Sequence, residues 1–182
     1  MMHSSSSERT ILTRECEATE IPSGKKITLF PGMEVRIMQA LGGTFTVMSE
    51  IGQMASIAGK DADVIGKEKP PELSLVDSMG KEKTMEEMVW EQLRTCYDPE
   101  IPHNIVDLGL VYRCDVNENE KKVDVRMTLT APGCGMGEWL RIDVKNKVSI
   151  VPGIQEVNVE IVFDPPWTRD KISPQLRRYL NL

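Results

Sequence analysis

The chain passes from a predicted strand into a predicted amphipathic helix within Thr130-Ala131-Pro132-Gly133-Cys134-Gly135-Met136-Gly137-Glu138-Trp139. The strand is expected over Val123 to Leu129, and the helix from Gly135 to about Val148. Unpaired backbone N–H groups and the positive end of the helix dipole favour an anion at such a junction. Because the thiolate is the nucleophilic and metal-binding form of cysteine, Cys134 is the first functional candidate.

Two glycines flank this cysteine, and each removes side-chain bulk beside its sulfur. With Gly133 and Gly135 on either side, a cluster edge or an acyl group has room to approach Cys134. The alternative is a buried cysteine that packs as a small hydrophobic residue. The glycines and the strand-to-helix position favour function for Cys134. A structural role is favoured for the other cysteines, Cys16, Cys96 and Cys114.

The composition limits the kinds of molecule that the chain is expected to bind. The chain has 182 residues, 22 basic and 28 acidic, and a formal net charge of −6, which argues against a broad nucleic-acid footprint or a polybasic membrane patch. No apolar run is long enough to span a bilayer, and residues 1–7 lack the features of a signal peptide, so cytoplasmic residence is expected. The scattered cysteines predict no disulfide framework, and with only His3 and His103 no closed zinc site is expected.

The pattern along the chain predicts an α+β protein with a small all-β domain over residues 8–66. Turn residues recur there about every 8–12 residues, as in a small antiparallel barrel or sandwich. The expected strands are Thr10 to Ala18, Lys26 to Leu29, Glu34 to Met38, Thr44 to Met48 and Met54 to Ile57. Charge, glycine and a proline pair then mark residues 67–83 as a linker.

Residues 84–182 predict a compact α-β-β-α-β domain with a short closing helix. Thr84 and Glu87 form a capping box, and the helix that follows ends before Asp98-Pro99. The remaining elements are a hairpin of Leu110 to Val116 with Val123 to Leu129, the helix after Cys134, a strand over Val157 to Phe163, and a helix near Ser173 to Leu180.

Three acidic residues and one threonine are further site candidates. Asp98 and Glu100 lie on a corner fixed by two prolines, where they can supply oxygens to a site near the thiol, or where Asp98 can simply start a turn. Asp107 precedes a buried strand, which favours a structural role in capping backbone donors. Thr130 lies four positions before the cysteine, and its alternative role is strand propensity alone.

With these residues identified, the chain resembles the metal–sulfur cluster biosynthesis domain family, which includes SufT and PaaD-like proteins. The resemblance rests on Asp98 to Tyr112, on Thr130 to Cys134 and on the element order of about Thr84 to Phe163. The first domain, particularly Ile21 to Gly24 and Gln39 to Val47, resembles the N-terminal extension of SufT. The resemblance implies a factor in iron–sulfur cluster assembly, with Cys134 as the functional thiol and Asp98, Glu100, Asp107 and Thr130 around it. Gly135 stands where the family pattern suggests proline or alanine, which weakens the expected start of the helix.

The leading hypothesis is a non-enzymatic maturation factor that carries iron or an iron–sulfur cluster transiently on Cys134 and delivers it to client apoproteins. Such clusters are usually held by several thiolates, and one suitable cysteine per chain cannot supply them, so a homodimer or a client ligand is expected. One alternative is a metal-free adaptor that recruits clients to an assembly scaffold. Another is a thiol-dependent transferase, for which His103 would have to act as the base.

Overall fold

The computed structural model describes residues 8–98, 101–133 and 135–182, which divide into two units with the boundary between Glu72 and Leu73. The first unit contains six strands, and the second contains three helices and three strands. The expected α+β class is therefore confirmed. In the described part of the chain, no helix is long and apolar enough to cross a membrane.

The first unit is one antiparallel sheet whose strands lie in the order β1-β4-β5-β6-β2-β3. The strands are β1 (Glu8–Ile11), β2 (Cys16–Ile21), β3 (Lys26–Leu29), β4 (Glu34–Leu41), β5 (Thr44–Ser49) and β6 (Met54–Ala58), followed by a 3-10 segment, Gly59–Ile65. Along β4 and β5, buried and more accessible residues alternate, so that Val35, Ile37, Phe45 and Val47 face the core. This alternation is what the sequence predicts.

The expected single strand from Thr10 to Ala18 is wrong, because the structure divides it into β1 and β2. Between them Leu12 is 1% exposed, and its N–H donates to the Met33 carbonyl at 2.9 Å. Thr13 donates to the Val64 carbonyl at 3.1 Å. The chain thus leaves its pairing with β4 and reaches β6, a change of partner that requires a break in the strand.

The second unit follows the predicted order of elements. These are α1 (Met85–Leu93), β7 (Val111–Asn117), β8 (Lys122–Met127), α2 (Gly137–Ser149), β9 (Glu156–Ile161) and α3 (Pro174–Leu180). Strand β8 lies in the middle of the sheet, antiparallel to β7 and parallel to β9. Helix α2 is the crossover between the parallel strands, and it packs on β9 and α1.

Two local features fix the start of α1. The Thr84 hydroxyl accepts the Glu87 N–H at 3.1 Å, and the Glu87 carboxylate accepts the Thr84 N–H at 2.7 Å, which confirms the capping box. Just before it, part of the expected linker forms a turn in which the Asp77 carboxylate accepts the N–H groups of Met79 and Lys81. Helix α1 therefore begins from a hydrogen-bonded turn.

Candidate functional site

Asp98 closes the turn that follows α1. Its side chain is buried, the residue being 4% exposed, and its carboxylate accepts the Ile101 N–H at 2.8 Å. The Asp98 N–H donates to the His103 carbonyl at 3.1 Å. Glu100, the second candidate on this corner, lies outside the described residues. Asp98 therefore helps to form a turn after α1, which is the alternative role that the sequence suggested for it.

Asp107 is held by a residue that the sequence reasoning missed. Asn104 donates its side-chain N–H to the Asp107 carboxylate at 2.6 Å. The side-chain oxygen of Asn104 accepts the backbone N–H groups of Val106 at 3.1 Å and Asp107 at 2.9 Å. This is an Asx turn, and an Asn three positions before the Asp was the available signal. Asp107 is half-buried, so its orientation is fixed while part of it remains accessible.

A series of backbone hydrogen bonds joins this loop to the end of β8. The Ile105 N–H donates to the Cys96 carbonyl, and the Leu110 N–H donates to the Ile105 carbonyl, both at 2.9 Å. The Thr128 N–H then donates to the Leu110 carbonyl at 2.8 Å. The acidic loop, by which we mean residues 104–110, is therefore bonded to the chain just past β8, two residues before Thr130. These backbone bonds bring the first motif, Asp98 to Tyr112, next to the start of the second, Thr130 to Cys134.

The hydroxyl of Thr128 is a second feature that the sequence did not reveal. Thr128 is fully buried, and its Oγ1 has no hydrogen-bond partner among the residues that the structure describes. Buried hydroxyls are normally paired, because an unpaired one has lost its bond to water without replacement. Thr130, the predicted candidate, is half-buried and lies past the end of β8.

The turn between β8 and α2 contains the predicted thiol, but Cys134 lies outside the described residues. Gly133 and Gly135 are exposed, and a Cβ atom added to either would meet no atom within 4 Å. Gly133 has a φ of +80°, a conformation that favours glycine. The space beside both glycines is therefore open.

Helix α2 begins two residues later than the predicted start at Gly135. Its N-cap is Met136, and no side chain accepts a hydrogen bond from the N–H groups of its first turn. A Cβ on Gly137 would lie 2.7 Å from Cδ1 of Leu129, so the Leu129 side chain would have to move to admit a larger residue there. The Glu138 side chain pairs with Arg141, which lowers the pKa of the Glu138 carboxyl.

The three described cysteines are poor sources of thiolate. Burial raises the pKa of the Cys16 thiol, which is 5% exposed. Burial, with the charge of Asp143 next, raises the pKa of the fully buried Cys96 thiol well above its ordinary value. Burial followed by the charges of Asp115 and Glu86 raises the pKa of Cys114 to about 12. These thiols stay protonated at neutral pH.

The described residues do not assemble a complete metal site on their own. Within residues 8–98, 101–133 and 135–182, no three His, Cys, Asp or Glu side chains are grouped so that they could hold a metal ion. The His103 ring packs edge-on against Tyr179, with 5.8 Å between ring centroids.

Comparison with known proteins shows which family the second unit is similar to. A family model described as iron–sulfur cluster assembly protein matches residues 86–161. An Fe-S protein maturation auxiliary factor from Porphyromonas gingivalis is 44% identical over 90 residues, which is 50% of this chain and 85% of that protein. The Fe-S protein maturation auxiliary factor SufT from Staphylococcus aureus is 46% identical over 76 residues, which is 42% of this chain and 85% of that protein.

A solved structure supports the same fold for this part of the chain. The crystal structure of a domain of unknown function, DUF59, from Bacillus anthracis is similar with a TM-score of 0.50 and 34% sequence identity. The match covers 54% of this chain and 92% of that domain. About half of this chain therefore lies outside the similarity.

Proposed function

The chain belongs to the iron–sulfur cluster assembly protein family, and we propose that it is a maturation factor that carries iron or an iron–sulfur cluster on Cys134 and passes it to client apoproteins. In this proposal the cluster is cargo, held for a short time and released. The assembly machinery and the client proteins are the partners, and no catalytic step is assigned to the chain. Two relatives above 40% identity bear the name of maturation auxiliary factors, which supports this role.

The state of the other cysteines is the observation that carries the proposal. A metal ligand or nucleophile must be a thiolate that a partner can reach. Burial keeps Cys16, Cys96 and Cys114 protonated. The remaining cysteine, Cys134, lies between two exposed glycines on the turn that leads into α2. The proposal therefore places the cluster on Cys134.

The start of α2 supports an anion on this turn. The helix has no side-chain cap, so its first N–H groups have no side-chain acceptor among the described residues. Such groups, with the helix dipole, favour a negative charge within the first turn of a helix. Two residues separate Cys134 from the first helical residue, Gly137, so the thiolate belongs to the segment that leads into this end. A bound cluster with thiolate ligands is itself an anionic group of this kind.

Ligand count supports an assembly larger than one chain. A single thiolate cannot complete the coordination of a cluster. We infer that a second copy of the chain, a client cysteine or a small thiol supplies the other ligands. We propose that four residues surround the thiol and do not act as the cluster ligand in its place, namely Asp98, Glu100, Asp107 and Thr130. Incomplete ligation by one chain favours onward transfer, which is what a carrier requires.

Anaerobic reconstitution with iron and sulfide tests the proposal. We expect the wild-type chain to bind iron and to show sulfur-to-iron charge-transfer absorption, and Cys134→Ser to lose most of both. Cys114→Ser is the matched control, since it removes a half-buried cysteine of the same unit whose pKa is about 12. Equal iron content and absorption in wild type and Cys134→Ser would contradict carriage by this thiol. Client maturation that survives Cys134→Ser in cells would instead support a metal-free adaptor.

Selective alkylation tests the assignment of the thiol independently of iron. At pH 8 we expect iodoacetamide to label Cys134 first, because burial keeps the other three cysteines protonated and two of them inaccessible. Peptide mass spectrometry of the folded chain gives the rate at each position. Labelling of Cys114 at the same rate as Cys134 would show that the site holds no activated thiol.

A further inference from the structure

The chain continues past the matched segment 86–161 with residues that contact the acidic loop. We call residues 164–173 the C-terminal strap. The indole N–H of Trp167 donates to the Leu108 carbonyl at 2.8 Å. The Ser173 N–H donates to the Asp107 carbonyl at 2.7 Å. The strap thus donates hydrogen bonds to the carbonyl groups of two consecutive loop residues, and one of these is the candidate site residue Asp107.

A glycine in the loop makes close approach possible. Gly109 has a φ of +69°, and a Cβ atom on it would overlap the backbone carbonyl of Lys171 in the strap. Any other residue at position 109 would therefore push the strap away as well as strain its own backbone. This direct contact between backbones explains the glycine next to the two carbonyls that accept hydrogen bonds from the strap.

The strap also contacts the first strand after the loop. The Tyr112 hydroxyl donates to the Pro165 carbonyl at 2.8 Å. The Lys171 ammonium lies over the Tyr112 ring, 4.6 Å from its centroid. The strap also bonds to the carbonyls of Asp107 and Leu108, so it binds the chain at both ends of the segment 107–112.

We propose that the C-terminal strap is a positioning element for the acidic loop and that Trp167 is its main positioning residue. The loop has its own Asx turn, in which Asn104 holds the Asp107 carboxylate and accepts the Asp107 N–H. The strap holds the backbone carbonyls of Asp107 and Leu108, and so fixes the backbone that carries the Asp107 side chain. The inference rests on the proposed function in one respect, namely that Asp107 belongs to the surroundings of the Cys134 thiol.

Trp167→Phe tests the proposal, because it keeps an aromatic ring and removes the N–H donor. We expect the amides of Leu108, Gly109 and Leu110 to exchange hydrogen about fivefold faster, as the loss of one hydrogen bond implies. Amides in β8 should be unaffected. Trp90→Phe is the matched control, a half-buried tryptophan on α1 with no hydrogen bond to the loop among the described residues.

A second pair of variants separates strap contact from backbone strain. Gly109→Ala introduces the overlap with Lys171, whereas Gly80→Ala places alanine at a φ of +81° with no atom within 4 Å of the new Cβ. We expect faster loop exchange in Gly109→Ala only. Equal exchange in the two variants, or unchanged exchange in Trp167→Phe, overturns the proposal.

The effect on the site is read from the reconstituted protein. We expect Trp167→Phe to change the intensity per iron or the maximum of the charge-transfer absorption, and Trp90→Phe to leave both unchanged. Faster loop exchange with an unchanged band would mean that the strap is only structural, and this overturns the positioning role. Failure of the proposed function is a separate result, seen as equal iron binding by wild type and Cys134→Ser, and the exchange comparison still decides whether the strap holds the loop.

Discussion

Replacement of Lys147 by methionine should reveal a buried ion pair on α2, next to the residues that follow α1. The Lys147 ammonium lies 3.1 Å from the Asp143 carboxylate and donates to the Thr95 carbonyl at 2.7 Å, with the two charged side chains only 10% and 9% exposed. Lys147→Met keeps most of the apolar stem but leaves a buried carboxylate without its cation. Breaking one partner of such a pair costs about 3–5 kcal/mol of unfolding free energy, and we expect a loss in this range at neutral pH.

The loss should depend on pH in a defined direction. Burial raises the pKa of Asp143, and the charge of Lys147 opposes that rise. Without Lys147 the pKa in the folded chain moves further above the value in the unfolded chain, which is about 4. A carboxyl of this kind destabilises the folded state increasingly as pH rises from the unfolded value through the folded one. The deficit of Lys147→Met should therefore be larger at pH 7.5 than at pH 5.

Denaturant unfolding followed by tryptophan fluorescence measures this deficit in the second unit, because Trp90, Trp139 and Trp167 all lie there. Arg141→Met is the control, since it breaks a more exposed pair with Glu138 on the same helix and should cost less than about 1 kcal/mol.

A double variant tests the cause. Asp143→Leu combined with Lys147→Met removes both charges and should recover most of the stability lost in the single variant. A deficit below about 1 kcal/mol at pH 7.5, or one equal at pH 5 and pH 7.5, would refute the reasoning, because a buried unpaired carboxylate must produce both effects.

Three further predictions, made on five substitutions, test packing and capping in the second unit. Gly137→Ala should lower its unfolding free energy by about 1–3 kcal/mol through overlap with the strand end, whereas Gly135→Ala, with open space beside it, should cost much less by the same fluorescence assay. Thr128→Val should leave stability unchanged or raised, because the lost hydroxyl has no described partner, whereas Thr95→Val should lower it, because that hydroxyl donates to a carbonyl at 2.7 Å. Thr84→Ala should cost about 1 kcal/mol in chemical denaturation, and an unchanged midpoint would argue against the cap.

The elements that depend on local pattern could be predicted from the sequence. The capping box at Thr84 and the apolar repeat through Leu140, Val144 and Val148 are local, and each is present in the structure. The break between β1 and β2 was missed because it depends on the partners that Leu12 and Thr13 find far along the chain. A sequence of strand-forming residues does not show where the chain leaves one neighbouring strand and pairs with another.

The same division applies to the candidate site. Asp98 and Asp107 could be selected from the sequence because acidic residues beside prolines and strand starts are conspicuous. The supporting roles of Asn104 and Thr128 could not, since one is a turn formed within the loop and the other depends on complete burial. The hydrogen bond from Trp167 to Leu108 joins residues 59 positions apart, and no local pattern reveals such a contact.

The enclosure of Cys16 and Cys96 has a practical consequence for anyone who handles this protein. Air oxidation attacks accessible thiolates, so it should spare the buried Cys16 and Cys96, while Cys114, with a pKa of about 12, should react slowly. If Cys134 carries the cluster as proposed, a sample aged on the bench would keep its melting behaviour and circular dichroism while its capacity to bind iron declined. Iron content is therefore best normalised to the titre of fast-reacting sulfhydryl, not to absorbance at 280 nm.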